Sequence, residues 1–339
     1  MRTIKVLVVE DSTVFRNLLV QGLNADPNIE VVAEAGNPFE AKDAIMEYKP
    51  DVMTLDIEMP KMNGIDFLRK LMPQYPMPTV MLSGMDGKVF DAMEAGAVDF
   101  AHKPVNMSKG TVNEFIRQEL ITKIKIAASV DVRKLRYNGA KKTDRREKLK
   151  NRNCIIAIGA STGGTEAICD IIKEFRSDIP AVVVVQHMPA GFTEMYAARM
   201  NNQCEAEVKE AKNGDVVRPG QVLIAPGGYQ MRLVKVGDEY RVECKTGEKV
   251  SGHCPSVDVL FESVAKAAGA DSIGVILTGM GGDGAKGMKE MKNCGAVTIG
   301  QDEATSVVYG MPKVAYDIGA VRYKLPLYDI ADKIYDLLG

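Results

Sequence analysis

The sequence reads IGASTGG at residues 158–164, directly after the apolar run Cys154–Ala157 and just before a helical pattern that begins near Thr165. A serine in Gly-x-Ser-x-Gly spacing at a turn from strand to helix is typical of a catalytic nucleophile, because the glycines permit the tight turn that exposes its hydroxyl. A glycine-rich turn with a capping Ser or Thr explains the same spacing. The stretch therefore predicts a strand–turn–helix unit and leaves the role of Ser161 open.

Size, composition and charge limit the classes of protein to which this chain can belong. Its 339 residues are 46% hydrophobic and carry a formal charge of -2, so we expect two domains with sizeable cores and no binding of nucleic acid through overall charge. No apolar run is long enough to span a bilayer, and the N-terminus shows no signal peptide. The six cysteines include no Cys-x-x-Cys pair, which argues against a zinc site or a redox dithiol. We expect a cytoplasmic protein that does not insert into membranes.

Residues 1–127 alternate between short apolar runs and helical patterns. The predicted strands are Lys5–Val9, Ile29–Ala33, Asp51–Leu55, Thr79–Leu82 and Ala97–Ala101. Strands this apolar are buried on both faces, and their alternation with helices indicates a doubly wound parallel sheet.

Five polar residues follow the ends of these strands: Glu10, Asp11, Asp56, Ser83 and Lys103. In a doubly wound sheet, ligands bind at that edge. Three carboxylates gathered there would repel one another unless a cation lay between them, and oxygen ligands in that number suit Mg²⁺. A lysine and a hydroxyl nearby suit phosphoryl oxygens. Each residue alone is an ordinary polar end of a strand, but the ordered set predicts a site for Mg²⁺ and a phosphoryl group.

Four motifs of this half are VVEDS at 8–12, LDIEMP at 55–60, SG at 83–84 and HKP at 102–104. Together they resemble the motifs of two-component receiver domains. The resemblance implies a flavodoxin-like fold for residues 1–127 and a histidine kinase as the donor of a phosphoryl group. It also implies that Asp56 accepts this group, with Glu10 and Asp11 completing the Mg²⁺ site. The residues that respond to the phosphoryl group in the family are Ser83, Phe100 and Lys103.

Residues 128–152 separate the two halves and differ from both in charge. Between Asp131 and Arg152, ten Lys or Arg stand against three Asp or Glu, and few apolar residues could anchor the segment. The pattern predicts a solvated, mobile linker. A docking strip for an acidic partner, such as Glu-rich substrate helices, is the alternative that the charge leaves open.

Residues 153–339 again alternate between strands and helices. The predicted strands of the main sheet are Asn153–Ile158, Ala181–Val185, Ser272–Leu277 and Ala296–Ile299. Three further stretches are separated by Gly, Pro and Asp turns, a spacing typical of antiparallel hairpins. They are Gln221–Ala225, Gln230–Val236 and Tyr240–Cys244. We therefore predict an α/β domain whose mostly parallel sheet carries an antiparallel β insertion.

Three polar residues of this half follow predicted strands: Ser161, His187 and Asp283. At one sheet edge they can converge, with His187 as the base that a serine hydroxyl requires and Asp283 as the acid that orients the imidazole. Taken one at a time, His187 is explained as a satisfied polar residue and Asp283 as a helix cap. The order Ser–His–Asp differs from that of α/β-hydrolases, chymotrypsin and subtilisin, so we do not expect an α/β-hydrolase.

The turn GMGGDG at 279–284 permits a competing interpretation. It fits Gly-x-Gly-x-x-Gly between a strand and a helix, and Asp302 and Glu303 lie about twenty residues further on, as in a dinucleotide-binding site. That interpretation leaves the serine and the histidine without roles. It also puts the negative charge of Asp283 into a loop that should hold a pyrophosphate.

Six motifs of this half are GASTGG at 159–164, QHMPAGFT at 186–193, APG at 225–227, PSVDVLF at 255–261, LTGMGGDG at 277–284 and YGMP at 309–312. Together they resemble the catalytic domain of the chemotaxis methylesterase family CheB, which implies a Rossmann-like fold for residues 153–339. The triad residues that the resemblance implies are Ser161, His187 and Asp283. The backbone N–H groups that it implies as oxyanion donors are those of Thr162 and Met280. Cys254 stands where many relatives have arginine, so the resemblance does not carry over any substrate contact that the arginine makes.

With a receiver in front of it, the second resemblance implies a response regulator whose output is an enzyme. The expected reaction is hydrolysis of glutamate methyl esters on the cytoplasmic helices of chemoreceptors, with deamidation of receptor glutamines as a second activity and no cofactor for either. We expect phosphorylation of Asp56 to activate the hydrolase by loosening a receiver that covers its active site. Two other classes stay open: an oxidoreductase that binds a nicotinamide cofactor, and a receiver-linked adaptor in which Ser161 is unreactive.

Overall fold

The computed structural model describes residues 2–84, 87–132, 149 and 151–339. The chain divides into two compact units, Met1–Arg136 and Tyr137–Gly339. Most of the segment 128–152 lies outside the described residues, so the linker and the domain limits on either side of it stay predictions. Within the described ranges, no helix combines the length and the apolar character needed to cross a membrane.

The first unit is built on one parallel sheet of five strands. Its elements are β1 (Ile4–Val9), α1 (Thr13–Leu23), β2 (Ile29–Ala35), α2 (Pro38–Tyr48), β3 (Val52–Asp56), α3 (Gly64–Leu71), β4 (Thr79–Ser83), α4 (Lys88–Glu94), β5 (Asp99–His102), α5 (Lys109–Phe115) and α6 (Ile121–Ala127), with a π-helical turn at Ile116–Leu120 between the last two. The strand order is β2-β1-β3-β4-β5, and every pair is parallel. All residues of β3 and β4 are buried, as in strands covered on both faces. The predicted doubly wound sheet is confirmed.

Side-chain caps determine where three helices of this unit begin. Ser12, Asn37 and Asn63 accept hydrogen bonds from amides in the first turns of α1, α2 and α3, which satisfies donors that a helix leaves unpaired. Gly64, the first residue of α3, packs against the backbone carbonyl of Asp56 so closely that a Cβ would collide with it. These contacts set the paths by which the chain leaves β1 and β3, next to the acidic residues at their ends.

The second unit is built on a parallel sheet of seven strands. Its elements are β6 (Ile155–Ala160), α7 (Gly164–Lys173), β7 (Ala181–Gln186), α8 (Phe192–Asn201), β8 (Glu207–Glu210), β9 (Gln221–Ile224), β10 (Gln230–Val236), β11 (Glu239–Lys245), α9 (Val257–Ala267), β12 (Ser272–Ile276), α10 (Ala285–Asn293), β13 (Val297–Gln301), α11 (Met311–Asp317), β14 (Tyr323–Leu325) and α12 (Leu327–Leu338). The order is β14-β13-β12-β6-β7-β9-β8, and β10 and β11 form a separate pair. That pair is antiparallel, which confirms the predicted insertion.

The prediction that Gln221–Ala225 belongs to an antiparallel hairpin is wrong. Its residues form β9, which pairs in parallel with β7 and β8 inside the main sheet. All four residues of β9 are buried, and a short apolar run carries no signal for the direction of its pairing. The sequence also misses β8 and β14, because strands of four and three residues at the sheet edges carry too little pattern.

The strands β12, β6 and β7 end level with one another at the centre of this sheet. The register pairs Ile276 with Gly159 and Ala160 with Gln186. Gly159 packs against the side chain of Val257 at the start of α9, where a Cβ would collide. This close approach brings the N-terminus of α9 to the edge at which the three strands end.

Candidate active site and phosphoacceptor site

In the first unit, the structure brings Glu10, Asp56 and Lys103 together where three strands end. Lys103 Nζ lies 2.9 Å from Glu10 Oε2 and 2.7 Å from Asp56 Oδ1. Asp11 is exposed, and one carboxylate oxygen from each of Glu10, Asp11 and Asp56 lies within 4.8 Å of the others. Carboxylate oxygens in such a cluster match the ligand preference of Mg²⁺, so the residues present fit the ion that the sequence predicts.

The charges in this cluster do not balance. Burial, and after it the charge of Asp56, raises the pKa of Glu10 to about 7, although Lys103 opposes the shift. Burial also raises the pKa of Asp56 against the effect of Lys103. One ammonium group thus faces two buried carboxylates, and a divalent cation would supply the positive charge that they lack.

The sequence predicts two further residues that respond to a phosphoryl group, Ser83 and Phe100, and they lie in different parts of the first unit. Ser83 ends β4 beside β3, and its Oγ donates to the carbonyl oxygen of Gly84 at 2.8 Å. Its own carbonyl oxygen accepts from Lys103 N at 2.8 Å, so both lie at the carboxylate edge. Phe100 is buried on β5, with its ring 5.4 Å from the ammonium of Lys123. Phe100 therefore lies within the packing of the unit and not in the charged cluster.

In the second unit, Ser161 and His187 directly follow the neighbouring strands β6 and β7. His187 N donates to the carbonyl oxygen of Ala160 at 3.2 Å, and Ser161 N donates to that of Thr278 at 3.0 Å. A Cβ on Gly279 would lie 2.7 Å from Ser161 Cβ, so the loop after β12 passes against the serine. The same loop continues to Asp283, whose Oδ2 lies 2.8 Å from His187 Nε2. The structure thus places the three predicted triad residues at one sheet edge and joins two of them by a hydrogen bond.

Asp283 receives more hydrogen bonds than the one from the imidazole. Its oxygens accept from Ser256 Oγ at 2.7 Å, Val257 N at 2.7 Å and Asp258 N at 3.1 Å. Burial alone would raise the pKa of Asp283, but the hydrogen bonds from His187, Ser256 and Val257 outweigh it and lower the pKa to about 2. Asp283 is therefore an ionised, fully buried acceptor at neutral pH.

These contacts decide between two interpretations of Asp283. As a cap it would serve its own helix, α10, but the residue at that position is Gly284 and makes no side-chain cap. The carboxylate binds instead to the first amides of α9, where the helix dipole favours a negative charge. Its other partners are the hydroxyl of Ser256 and the imidazole of His187, and the contact with His187 is the one that the triad interpretation requires.

The two nitrogens of the His187 ring differ in their hydrogen bonding. Nε2 bonds to Asp283, while Nδ1 is buried and has no hydrogen-bond partner among the described residues. Because the carboxylate accepts a proton-bearing Nε2, Nδ1 is the nitrogen with a lone pair. The imidazole can therefore take up a proton at Nδ1.

Packing explains two of the four glycines in the loop 279–284. Gly279 lies against Ser161, and Gly284 adopts a φ of +86° against Val257, where a Cβ would collide. The carboxylate of Asp302 accepts from Thr305 N at 2.9 Å in its own turn. The spacing that suggests a dinucleotide site thus serves the serine and the start of α9.

Thr162 and Met280 lie next to the serine, but the structure leaves their role as oxyanion donors a prediction. Thr162 is buried directly after Ser161, and its carbonyl oxygen accepts from Thr278 Oγ1 at 3.0 Å. Met280 follows Gly279 and is 49% exposed. Thr162 adjoins Ser161 in the chain, and Met280 adjoins Gly279, which packs against Ser161.

Three residues that contact the predicted triad are not among the site residues predicted from the sequence. Buried Gln186 donates from Nε2 to the carbonyl oxygen of Ser161 at 2.9 Å, Ser256 binds Asp283, and His253 lies against His187. Gln186 and Ser256 fall inside the family motifs, which is the only signal that could have singled them out. Cys254, at the position of the arginine in relatives, accepts a backbone hydrogen bond from Gly228 at 3.1 Å.

Comparison with known proteins matches both units. The family model of the CheB methylesterase matches residues 156–334, and that of the response regulator receiver domain matches residues 6–112. A protein-glutamate methylesterase/protein-glutamine glutaminase 2 of Syntrophomonas wolfei is 56% identical and covers 100% of this chain and 99% of its own. A protein of Syntrophotalea carbinolica named as a protein-glutamate methylesterase/protein-glutamine glutaminase is 49% identical. The match covers 100% of this chain and 98% of that protein.

One solved structure is similar in fold and sequence to the second unit. The catalytic domain of the CheB methylesterase of Thermotoga maritima is 39% identical, with a TM-score of 0.54, and covers 55% of this chain and 98% of that chain. Since both family models match in this order and relatives align along the whole length, this chain belongs to the CheB methylesterase family, with a response regulator receiver domain ahead of its methylesterase domain.

Proposed function

We propose that this protein hydrolyses methyl esters of glutamate side chains on the cytoplasmic helices of chemoreceptors. In this scheme Ser161 is the nucleophile, His187 the base and Asp283 the acid that orients it. The observation that carries the proposal is the 2.8 Å bond between His187 Nε2 and Asp283 Oδ2 at the edge where Ser161 follows the adjacent strand. The names of the relatives supply the substrate class.

The first half-reaction forms an acyl-enzyme. Ser161 Oγ attacks the ester carbonyl carbon while its proton passes to Nδ1 of His187, and the ionised Asp283 stabilises the resulting imidazolium. The backbone N–H groups of Thr162 and Met280 would donate to the oxyanion, and each such donor typically contributes about 10²–10³ in rate. His187 then returns the proton to the departing methoxide, and methanol leaves.

The second half-reaction regenerates the serine. Water loses one proton to His187 and attacks the acyl carbon. That proton then passes to Ser161 Oγ as the ester bond to Ser161 breaks, and the glutamic acid side chain departs and loses its own proton to water. A glutamine side chain would follow the same route, with ammonia as the leaving group in place of methanol. This is the second activity in the names of the relatives, and neither route requires a cofactor.

We further propose that a chemotaxis histidine kinase phosphorylates Asp56 and thereby activates the hydrolase. Glu10, Asp11 and Asp56 would hold Mg²⁺, which when bound offsets the charge of carboxylates and phosphoryl oxygens. The residues proposed to respond to the phosphoryl group are Lys103, Ser83 and Phe100. The proposed domains are the receiver at 1–127, a basic linker at 128–152 and the catalytic domain at 153–339.

Release of methanol from methylated receptor membranes tests both proposals in the full-length protein. With acetyl phosphate and Mg²⁺ present, Ser161→Ala should lower release to background, whereas Ser177→Ala, which changes an exposed serine after α7, should not. Asp56→Asn should lose the stimulation by acetyl phosphate. Ester hydrolysis by folded Ser161→Ala would refute the triad, and stimulation that persists in Asp56→Asn would refute activation through this residue.

A further inference from the structure

One segment, residues 250–258, contacts both members of the histidine–aspartate pair. Ser256 and the amides after it bind Asp283. Three residues earlier, the ring of His253 lies on the ring of His187, with centroids 3.6 Å apart and planes inclined by 10°. His253 is half-buried, and the reaction scheme above gives it no role.

Hydrogen bonds hold the backbone of this segment in place. Val250 N donates to the carbonyl oxygen of His253 at 3.0 Å, and His253 N donates to that of Val250 at 2.9 Å. The buried side chain of Gln230, on β10, donates to the His253 carbonyl at 3.2 Å and accepts from Ser256 N at 2.9 Å. One anchor in the β insertion therefore sets both the stacked ring and the hydroxyl that binds the triad acid.

The stacked ring is neutral at neutral pH. The charged and titratable groups that act on His253 are His187, Asp283 and Lys249. Burial, and after it the neighbouring His187, lowers the pKa of His253 to about 4, while Asp283 opposes the shift. Two imidazoles this close resist carrying two positive charges. A neutral His253 therefore adds no positive charge beside the base proposed above.

We infer that His253 is a positioning residue for the hydrolysis proposed above, on which this inference rests: its ring holds the imidazole of His187 in the orientation that Asp283 requires. Rotation of the His187 ring about its Cβ–Cγ bond would break the Nε2 bond to Asp283. The same rotation would also lose the aromatic contact with the parallel ring of His253, whose centroid lies 3.6 Å away. Loss of a stacked aromatic contact of this kind corresponds to a change of about three- to tenfold in a rate.

Three full-length variants test the inference by methanol release from methylated receptor membranes with acetyl phosphate and Mg²⁺. His253→Ala removes the ring, and His253→Leu fills its space without an aromatic face. Both should lower kcat by about three- to tenfold and leave KM within about twofold, because alignment and not binding is lost. His253→Phe keeps a neutral ring and should restore kcat to within about twofold of wild type. The rate of Ser161 labelling by a fluorophosphonate probe should follow the same ranking.

Different outcomes bear on the role of His253 and on the triad. Wild-type kcat in His253→Ala or His253→Leu would overturn the inference, as would a folded His253→Phe that is as slow as His253→Leu. Thermal unfolding of each variant shows whether it is folded. If His253→Ala does not fold, the comparison of His253→Leu with His253→Phe still tests the inference. Activity in Ser161→Ala would refute the triad, whereas an inactive Ser161→Ala beside a fully active His253→Leu would refute the role of His253 alone.

Discussion

Replacing Asp283 with Asn tests whether the proposed triad acid acts through its four accepted hydrogen bonds. Oδ1 accepts from Ser256 Oγ at 2.7 Å and Asp258 N at 3.1 Å, and Oδ2 accepts from His187 Nε2 at 2.8 Å and Val257 N at 2.7 Å. An Asn of the same size has one acceptor oxygen, and its NH₂ group only donates. One of the two pairs of donors must therefore lose its acceptor.

Either orientation of the new amide is unfavourable. If the oxygen faces Ser256, the NH₂ group faces His187, so the imidazole proton moves to Nδ1 and blocks uptake of the serine proton. If the oxygen faces His187, the correct tautomer stays but the charge that stabilises the imidazolium is gone. Each orientation leaves one buried backbone amide of α9 unpaired, which costs about 1–3 kcal/mol. That is less than the usual margin of about 5–15 kcal/mol, so the variant should fold while kcat falls by about 10³–10⁴.

Ser256→Ala is the matched control for this substitution. It removes one donor to Oδ1 and leaves the bond between Oδ2 and His187, so kcat should stay within about tenfold of wild type. The assay is methanol release from methylated receptor membranes, with thermal unfolding of each full-length variant to establish folding. A folded Asp283→Asn within about tenfold of wild type would show that the acid is not required in this form. Equal losses in the two variants would show that the hydroxyl, and not the bond to the imidazole, dominates.

Two further predictions concern the neighbours of this network. Gly279→Ala places a Cβ against Met311 Sδ and 2.7 Å from Ser161 Cβ. The methionine side chain can move aside but the serine must shift, so fluorophosphonate labelling should slow by about 10²-fold; labelling at the wild-type rate would contradict the packing. Folding lowers the pKa of His253 from 6.5 to about 4. As the pH falls from 6.5 towards 4, the unfolded chain therefore binds a proton at this residue that the folded protein does not bind. The folded protein thus loses, over this range, stability that it has above pH 6.5. After allowance for partial exposure the loss is about 2 kcal/mol. The midpoint of thermal unfolding should therefore fall less in His253→Phe than in wild type over that range, and parallel curves would contradict the assignment.

The parallel sheets and the positions of their site residues could be predicted because both depend on short-range patterns. Buried parallel strands are apolar along their whole length, and the residue after such a strand lies at the ligand-binding edge whatever the rest of the chain does. Asp56 is the last residue of β3 and His187 directly follows β7, so each lies at the edge where the strands of its own sheet end. The direction of β9 could not be predicted, because a run of four buried residues pairs in either direction with the same pattern.

The contacts that complete the site depend on distant residues and so leave no local pattern. Ser256 reaches Asp283 from 27 positions earlier, and Gln230 fixes the segment that carries both Ser256 and His253. None of these pairs has a spacing that marks it, since the fold alone brings the partners together. Two glycines after β12 show the converse: their spacing matches a nucleotide loop, but Gly279 is required by the packing of Ser161 and Gly284 by the packing of Val257.

The two sites use buried carboxylates in opposite ways, and the surrounding donors explain the difference. Asp56 and Glu10 share one ammonium group, and burial prevails, so both pKa values are raised and the site has a deficit of positive charge. Asp283 has four donors for two oxygens, and its pKa is lowered although it is as buried. A site with a charge deficit responds strongly when a cation or a phosphoryl group arrives, because each changes the balance around Lys103. A saturated carboxylate keeps its charge and orientation through the catalytic cycle. The donors present at each sheet edge thus agree with the two proposed roles, reception of a phosphoryl group at the first site and orientation of His187 at the second.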